Sequence, residues 1–177
     1  MEMFDIYTES REKTNKTIQR GVKLKKGDYR VVVHCCIFNS KGEMLIQQRQ
    51  PFKKSWSDMW DITAGGCVIS GETSKQAVQR EVFEELGIDI DFSDIRPHLT
   101  INFDNGFDDY YIIYNDDIDI SSLKLQYEEV KAVKWAGLKE IKEMLINGTF
   151  IPYRDALIDL LFTMKAYGCH KSTEDTI

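Results

Sequence analysis

Apolar residues along this chain gather in short runs, and polar or glycine-containing turns separate one run from the next. Residues 29–38 are β-branched or aromatic almost without interruption, which predicts a strand buried on both faces. A polar turn follows, and residues 43–48 then have the composition of a hairpin partner strand. Residues 60–64 predict another strand, which runs directly into Gly65 and Gly66.

The spacing of apolar residues predicts a helix from Ser74 to Leu86. Thr73 precedes this helix and Gln76 lies three residues further along, and together they have the signature of a capping box. Gly87 follows the last apolar position, where a glycine commonly lets the chain leave a helix. The sequence therefore predicts both ends of this helix.

The second half of the chain alternates between strand and helix patterns. Residues 104–106 read Asp-Asn-Gly between two strand patterns, which is a strong hairpin signal. Because strands and helices interleave, the fold class is α/β or α+β, and a mixed sheet covered by helices on both faces fits the order best. The predicted elements are strands at 95–103, 107–114 and 130–135, a loop at 115–122, and helices at 138–146 and 155–167.

The polar N-terminal segment predicts an arm rather than a separate domain. Residues 1–28 are expected to pack on the main domain and to add a short strand near residues 4–7 or 17–19. Residues 29–168 are expected to form the single main domain, and residues 169–177 a mobile tail. The arm is also a candidate element for a homodimer.

Composition and charge restrict the class of partner. The chain has 23 basic and 29 acidic residues and a net charge of −6, a balance that argues against binding to a nucleic-acid polymer. No apolar run approaches the roughly 20 residues that cross a bilayer, so no membrane partner is expected. The first residues lack a secretory signal pattern, and the four cysteines lack disulfide-scaffold or zinc spacing, so a cytoplasmic protein with free thiols is expected.

Three glutamates on the predicted helix are candidates for metal chemistry. The spacing of Glu81, Glu84 and Glu85 places their side chains on one helical face, beside the apolar stripe. Such carboxylates repel one another at neutral pH unless a cation lies among them, and Mg²⁺ or Mn²⁺ prefers hard oxygen ligands of this kind. Taken alone, an acidic run of this type is more often a solvated helix face.

A longer pattern around these glutamates decides between the two interpretations. From Gly66 to Ile88 the chain matches G-x5-E-x7-R-E-U-x-E-E-x-G-U at every specified position, where U is a bulky apolar residue. This pattern is the Nudix box, and the chain resembles a Nudix hydrolase. The resemblance implies an α/β/α sandwich that hydrolyses a nucleoside diphosphate linked to another group, or another small diphosphate. It also implies Mg²⁺ or Mn²⁺ as the cofactor.

The resemblance further implies roles for individual residues of the box. The three helix glutamates are expected to hold the metal ions, with Glu81 and Glu85 as the most regular ligands. The arginine and the first glutamate of the box are expected to orient the loop and the helix. The predicted metal ligands are Glu81, Glu84, Glu85 and Gly66, the predicted catalytic set adds Arg80, and Glu72 and Gly87 are the predicted structural residues.

The segment before the box resembles the branch that contains isopentenyl-diphosphate isomerase. Counted back from Trp60, Arg49 and Lys53 take the places of two cations that grip the substrate diphosphate in that isomerase. The isomerase uses a cysteine as its acid towards carbon, but that position is Gly65 here, and Cys67 replaces a metal-binding histidine. Hydrolysis is therefore expected, and the alternatives are isomerisation or a nucleotide-binding module without turnover.

Residues outside the box complete the set of candidates. An acidic residue from a later loop often completes such a site, and Glu129 is the predicted general base, with Glu128 as the second choice. The alternative is that both are exposed loop carboxylates. His34 lies within an apolar run and is predicted to be a core histidine. Asp108 and Asp109 are either ligand contacts or turn residues, and the identity of the substrate stays open.

Overall fold

The structure is a computed structural model that describes residues 2–164. The strands are β1 Met3–Tyr7, β2 Lys13–Gln19, β3 Arg30–Phe38, β4 Glu43–Arg49, β5 Trp60–Asp61, β6 Ala64–Cys67, β7 Leu99–Phe103, β8 Gly106–Tyr114 and β9 Val130–Gly137. The helices are α1 Ser74–Leu86, α2 Leu138–Ile146 and α3 Asp155–Thr163, with a 3₁₀ turn at Ile120–Ser122. The predicted helix end at residue 167 and the predicted tail at 169–177 lie outside the described residues.

Seven of the strands form one mixed sheet. Its path runs β5-β4-β3-β8-β7, with β6 paired to β3 and β9 paired to β4. β3 and β8 are parallel along their whole length, from the pair Arg30–Gly106 to the pair Phe38–Tyr114. The other pairings are antiparallel. The predicted mixed sheet is therefore confirmed.

Apolar side chains on the two faces of this sheet form two cores. On one face, Val33 of β3 belongs to the same buried cluster as Val82 of α1. On the other face, Cys36 of β3 is clustered with Ile141 of α2 and Ile158 of α3. Successive side chains of a strand point to opposite faces, so helices cover the sheet on both sides. The α/β/α sandwich is confirmed. Within residues 2–164, no helix combines the length and the apolar character required to span a bilayer.

Helix α1 begins and ends at the predicted residues. The amide of Gln76 donates to Oγ1 of Thr73 at 3.3 Å, and the amide of Thr73 donates to Oε1 of Gln76 at 2.9 Å, so the capping box is confirmed. Gly87 ends the helix with a φ of 70°, and its amide donates to the carbonyl of Phe83. Glycine adopts this left-handed conformation at the lowest cost, and the predicted end of the helix at Gly87 is confirmed.

The strand predicted at residues 60–64 is broken in two. β5 pairs with β4, whereas β6 pairs with β3. Thr63 lies between the two pieces and is fully buried. Its Oγ1 accepts from the amide of Ile37 at 2.9 Å and donates to the carbonyl of Leu45 at 2.5 Å. The threonine side chain therefore replaces ladder hydrogen bonds where the chain changes its partner strand.

The hairpin predicted at residues 104–106 is present, with Phe103 paired to Gly106 across the turn. Its first strand is shorter than predicted and begins only at Leu99. Pro97 lies just before this point and offers no amide hydrogen for a sheet ladder, which gives a physical reason for the late start. The second strand spans the predicted residues 107–114 and adds Gly106.

The N-terminal residues form a hairpin of β1 and β2 that lies against the sheet and the loop before α1. Tyr7 and Tyr29 exchange backbone hydrogen bonds of 2.8 and 3.0 Å, and the amide of Ser70 donates to the carbonyl of Met3 at 2.7 Å. Phe4 is buried, although it belongs to this small two-stranded sheet. Both strand segments suggested for the arm are therefore present, and they pair with each other.

Candidate active site

A cavity of about 500 Å³ lies beside β6 and the C-terminal half of α1, and we call it the first cavity. Its lining includes Arg49, Lys53, Gly66, Arg80, Glu81, Glu84, Glu85, Glu128 and Glu129. The structure therefore brings together all the residues predicted to bind metal, to act in catalysis or to grip a diphosphate. Glu72 and Gly87, predicted to be structural, do not belong to this lining.

Glu85 is the most deeply buried of the three helix glutamates, with 3% of its surface exposed. It lies on the side of α1 that faces the sheet, where its Oε2 accepts from Nε2 of Gln47 at 3.0 Å and from the amide of Gly65 at 3.3 Å. Burial, and after it the charge of Glu81, raises the pKa of Glu85 well above its usual range. A proton or a cation must balance this carboxylate.

Glu81 lies over the backbone of Gly66. A Cβ atom at position 66 would approach Oε1 of Glu81 to 2.0 Å, so a residue larger than glycine would displace the carboxylate. Nη1 of Arg80 donates to the same oxygen at 2.8 Å. Burial raises the pKa of Glu81 even though the arginine acts in the opposite direction. The carboxylate of Glu81 therefore lies directly against the backbone of β6 at Gly66.

Arg80 joins α1 to the loop that precedes it. Its Nε and Nη2 donate to the two carboxylate oxygens of Glu72 at 2.8 and 3.1 Å, and Nη2 also donates to the carbonyl of Cys67 at 3.2 Å. Its Nη1 reaches Glu84 at 3.2 Å in addition to Glu81. The planar guanidinium suits this forked contact, so Arg80 orients both the loop and the acidic face of the helix.

The N-terminal hairpin holds the same loop and contributes to the first cavity. The carboxylate of Asp5 accepts from Oγ of Ser70 at 2.8 Å and from the amide of Gly71 at 2.9 Å. Arg20 and Glu2 form an ion pair of 2.7 Å, and both line the first cavity. The hairpin is therefore part of the site and supports the loop of the Nudix box.

The glutamates suit a divalent cation but are not preassembled around one. Within residues 2–164, no three acidic, histidine or cysteine side chains form a ready-made metal cage. Arg80 and Gln47 occupy the carboxylate oxygens instead. Buried oxygen donors whose pKa values are raised by burial are stabilised in their ionised form by a hard cation. The donor set therefore fits Mg²⁺ or Mn²⁺.

Arg49 and Lys53, the two residues predicted to bind the diphosphate, have different contacts in the structure. Nζ of Lys53 lies 2.5 Å from Oε2 of Glu129, so the predicted cation and the predicted general base form an ion pair. Nη1 of Arg49 lies 3.8 Å from Asp61, and its Nε is buried without a hydrogen-bond partner. Arg49 therefore retains a free donor, whereas Lys53 must exchange part of its contact with Glu129 for a ligand.

A second cavity of about 440 Å³ adjoins the first along β6, and we call it the second cavity. The two cavities share Arg49, Ser55 and residues 65–67. The second cavity is also lined by Arg30, His34, Trp56, Asp61, Phe103 and Asp108. A single compact ligand can therefore lie in both cavities.

His34, predicted to be a core histidine, is partly buried and lies on the wall of the second cavity. Its Nε2 is 3.2 Å from Oδ1 of Asp108, and its ring stacks on Tyr110 with 4.6 Å between centroids. A Cβ atom on Gly65 would lie 3.0 Å from Nδ1 of His34 and 2.9 Å from the carbonyl oxygen of Val33. The position that carries the cysteine in the isomerase therefore has no room for a side chain here.

Asp108 and Asp109 have different positions. Asp109 is fully buried and accepts from Oγ1 of Thr100 at 2.7 Å, from Oγ of Ser74 at 2.5 Å and from the guanidinium of Arg11. These contacts connect the N-terminal hairpin, the first turn of α1 and β7. Asp109 is therefore structural, while its neighbour Asp108 lines the second cavity.

The sequence did not identify Gln47 or Arg20 as residues of the site. A signal for Gln47 was available, because it occupies the same face of β4 as the core residue Leu45 and is a polar residue among apolar ones. Arg20 reaches the first cavity only because β1 and β2 pair and pack against the loop. No local pattern distinguishes that arginine from other charged residues of the arm.

The chain is similar to known proteins in sequence and in fold. The NUDIX domain matches residues 28–155 of the chain. A Nudix hydrolase of Listeria innocua is 46% identical over 165 residues, which cover 93% of this chain and 96% of the relative. The crystal structure of DR0079 from Deinococcus radiodurans has a TM-score of 0.73 at 23% identity, over 93% of this chain and 100% of that chain. The latter similarity shows the fold.

The isomerase branch is also represented among the similar proteins. Isopentenyl-diphosphate isomerase of Salmonella typhi is 29% identical over 119 residues, which cover 63% of this chain and 64% of the isomerase. This similarity is consistent with the branch indicated by the segment before the box. The domain match, which covers most of the chain, and the Listeria relative lead to one conclusion. The chain belongs to the Nudix hydrolase family.

Proposed function

We propose that this protein is a Mg²⁺- or Mn²⁺-dependent hydrolase that cleaves a phosphoanhydride bond in a small diphosphate compound by attack of water at phosphorus. One observation carries the proposal. The three helix glutamates, the open backbone of Gly66 and the cations Arg49 and Lys53 all line the first cavity. Acids that suit a metal and cations that suit phosphate oxygens are the two requirements of this reaction.

Glu81 and Glu85, with Glu84 as a more exposed helper, are the residues that would hold the divalent ions. Bound there, the ions supply neutralisation of phosphate charge and an attacking water of lowered pKa. Gln47 fixes the orientation of Glu85 through its 3.0 Å hydrogen bond. Arg80 keeps the acidic face of α1 in register with the loop through its contacts to Glu72 and Cys67.

Arg49 and Lys53 would bind the phosphate oxygens that the metal ions leave exposed. The guanidinium presents a fork of donors and the ammonium a compact charge, so the two are suited to different oxygens. When a phosphate takes over Lys53, its present partner Glu129 loses a cation at 2.5 Å. The released carboxylate is then available to accept the proton of the attacking water.

The alternative of isomerisation is not favoured by the second cavity. Proton transfer to carbon needs an acid at the position of Gly65, and His34 and the carbonyl of Val33 leave no room for one. A binding module without turnover would not require the complete set of Glu81, Glu84 and Glu85, so this alternative is less favoured. Hydrolysis of a small diphosphate, with no nucleic-acid polymer as partner, gives a role to the helix glutamates, Arg49, Lys53 and Glu129 of the first cavity.

The test is a substrate panel incubated with the full-length protein and Mg²⁺ in ¹⁸O-labelled water and, separately, in heavy water. The panel contains nucleoside diphosphates and triphosphates, sugar and dinucleotide conjugates, and isopentenyl diphosphate. Incorporation of ¹⁸O into a phosphate product, lost in Glu85→Gln and on chelation of the metal, is the expected result. Deuterium in the isoprenoid product would establish an isomerase, and saturable binding without either label would establish a binding module.

A further inference from the structure

We propose that the second cavity binds an anionic group at the far end of the substrate, through the guanidinium groups of Arg30 and Arg49. The inference rests on the proposed function, because it places the diphosphate of the same molecule in the first cavity. The substrate class is then narrower than a diphosphate in general. It is a compact diphosphate whose other end carries a phosphate or a carboxylate.

The observation behind this proposal concerns two unsatisfied donors. Among residues 2–164, two buried side-chain nitrogen or oxygen atoms lack a hydrogen-bond partner, and they are Nε of Arg30 and Nε of Arg49. Both arginines line the second cavity. A buried donor without an acceptor destabilises the protein, so such atoms are rare in native structures and call for an explanation. Arg30 also forms no ion pair within these residues, so an anionic ligand in this cavity would supply the counter-ion that its guanidinium lacks.

The acidic residues of the second cavity do not serve as these acceptors. Asp108 is paired with His34 at 3.2 Å. Asp61 accepts from the hydroxyl of Tyr153 at 2.7 Å and from the amide of Ile62 at 2.8 Å. Its separation of 3.8 Å from Nη1 of Arg49 is longer than a hydrogen bond. Each carboxylate is therefore satisfied by another donor, and the two Nε–H groups are left over.

The position of the cavity connects it to the proposed chemistry. Arg49, Ser55 and residues 65–67 line both cavities. A ligand whose diphosphate lies beside Glu81 in the first cavity therefore extends past β6 into the second. Volumes of about 500 and 440 Å³ leave room for a small sugar or a short carbon chain on the diphosphate.

The two guanidinium groups in the walls of the second cavity disfavour a purely hydrocarbon tail on the substrate. A hydrocarbon would cover the two guanidinium groups without offering any acceptor, which makes their desolvation unfavourable. Phosphate and carboxylate oxygens accept from guanidinium in charge-assisted hydrogen bonds. Trp56 and Phe103 also line the cavity and provide apolar contact for the carbon skeleton between the two anionic ends.

Three diphosphates separate these possibilities when kcat/KM is measured with Mg²⁺. Isopentenyl diphosphate has a neutral tail, mevalonate 5-diphosphate has a carboxylate on a similar branched chain, and 5-phosphoribosyl 1-diphosphate has a phosphate on a sugar. The wild-type protein is expected to prefer at least one anionic-tailed compound over isopentenyl diphosphate by tenfold or more. The preferred compound identifies the anion as a carboxylate or a phosphate, and equal kcat/KM values for all three would overturn the proposal.

The variant Arg30→Gln tests the residue that the diphosphate itself does not require. Its kcat/KM for the anionic-tailed compound is expected to fall at least tenfold further than its kcat/KM for isopentenyl diphosphate. The matched control is Arg154→Gln, which removes an exposed arginine at the start of α3 that lines neither cavity. Its kcat/KM values for the three diphosphates are expected to be unchanged. Parallel losses on all three substrates in Arg30→Gln would indicate a general structural role and contradict the proposal.

A binding measurement keeps the proposal separate from the proposed function. The full chain is titrated calorimetrically with ribose 5-phosphate in the presence of a chelator, so that no turnover is required. Saturable binding that weakens tenfold or more in Arg30→Gln, but not in Arg154→Gln, supports the anion site even if none of the three diphosphates is hydrolysed. In that case the proposed function fails and the anion site stands. Absence of binding together with absence of any substrate preference overturns the anion site.

Discussion

The carboxylate of Glu81 occupies the space that a side chain at Gly66 would need: a Cβ atom on the glycine would lie 2.0 Å from Oε1 of the glutamate. The same oxygen is held by Arg80 at 2.8 Å, so the carboxylate has little freedom to move aside without losing that contact. Glycine at this position therefore restricts the position of Glu81, one of the two most regular predicted metal ligands. The Nudix box glycine acts here through a side chain fifteen residues later in the chain.

The substitution Gly66→Ala is expected to reduce Mg²⁺-dependent turnover at least tenfold and to destabilise the fold by about 1–3 kcal/mol, because overpacking moves Glu81 off its position. Turnover at increasing Mg²⁺ and thermal unfolding measure the two effects. Gly137→Ala is the matched control, since a Cβ atom there meets nothing within 4 Å. Equal behaviour of the two variants would show that Glu81 does not depend on Gly66.

Glu85 gives the protein without metal a particular dependence on pH. Its raised pKa means that the folded state holds a proton that the unfolded state releases from about pH 4.3 upward. Stability contributed by the protonated form is therefore lost as the pH rises towards the raised pKa. The variant Glu85→Gln does not titrate, and its unfolding temperature is expected to fall less than that of wild type between pH 5 and 8 in a chelator.

The same variant is expected to lose turnover by on the order of 100-fold or more, because an amide is a poor ligand for a hard cation. Mg²⁺ should raise the unfolding temperature of wild type most at the higher pH values, where Glu85 is most readily ionised. Thermal scans with and without Mg²⁺ across the pH range measure this. A Glu85→Gln protein that keeps both its turnover and its response to Mg²⁺ would rule out Glu85 as a ligand.

Even the conservative substitution Arg80→Lys is expected to lower stability and turnover. Arg80→Lys keeps the charge but cannot contact both oxygens of Glu72 and the carbonyl of Cys67 at once. A double-mutant cycle with Glu72→Gln should show a coupling of about 0.5–3 kcal/mol in unfolding free energy. Turnover should fall in Arg80→Lys with Mg²⁺ affinity as the main affected quantity. Additive free energies in the cycle would mean that the forked contact contributes nothing.

Lys53 and Glu129 are expected to affect different kinetic constants, although they form one ion pair. Lys53→Met should raise KM by about tenfold with a smaller effect on kcat, because it removes binding shared by the ground and transition states. Glu129→Gln should lower kcat by about 10²-fold or more with a smaller effect on KM, as expected for a general base. If Glu129→Gln instead changes KM alone, Glu129 only positions Lys53.

Sequence patterns that span only a few residues predicted helix α1, which carries the three glutamates of the candidate site. Helix α1, its capping box and Gly87 were predicted to the residue, because the determinants lie within a few residues of each other. The burial of Glu85 was not predicted. Helical geometry places Glu85 next to the acidic face of α1. The hydrogen bond from Gln47 of β4, together with the burial of Glu85, shows that this glutamate points towards the sheet.

Other features depend on contacts between distant parts of the chain. The break of the strand at Thr63 arises because its hydroxyl bonds to both Ile37 and Leu45, which lie on two different strands. The second cavity depends on the parallel pairing of β3 with β8, which sets His34 beside Tyr110. Periodicity along the sequence does not specify such pairings, so the second cavity was not predicted.

The N-terminal hairpin lies outside the matched NUDIX domain and still contributes to the first cavity. The domain shared across the family begins at residue 28, whereas the hairpin ends before it and still lines the first cavity with Arg20 and holds Gly71 through Asp5. Mutations in this segment can therefore change the lining of the first cavity while every residue of helix α1 stays the same.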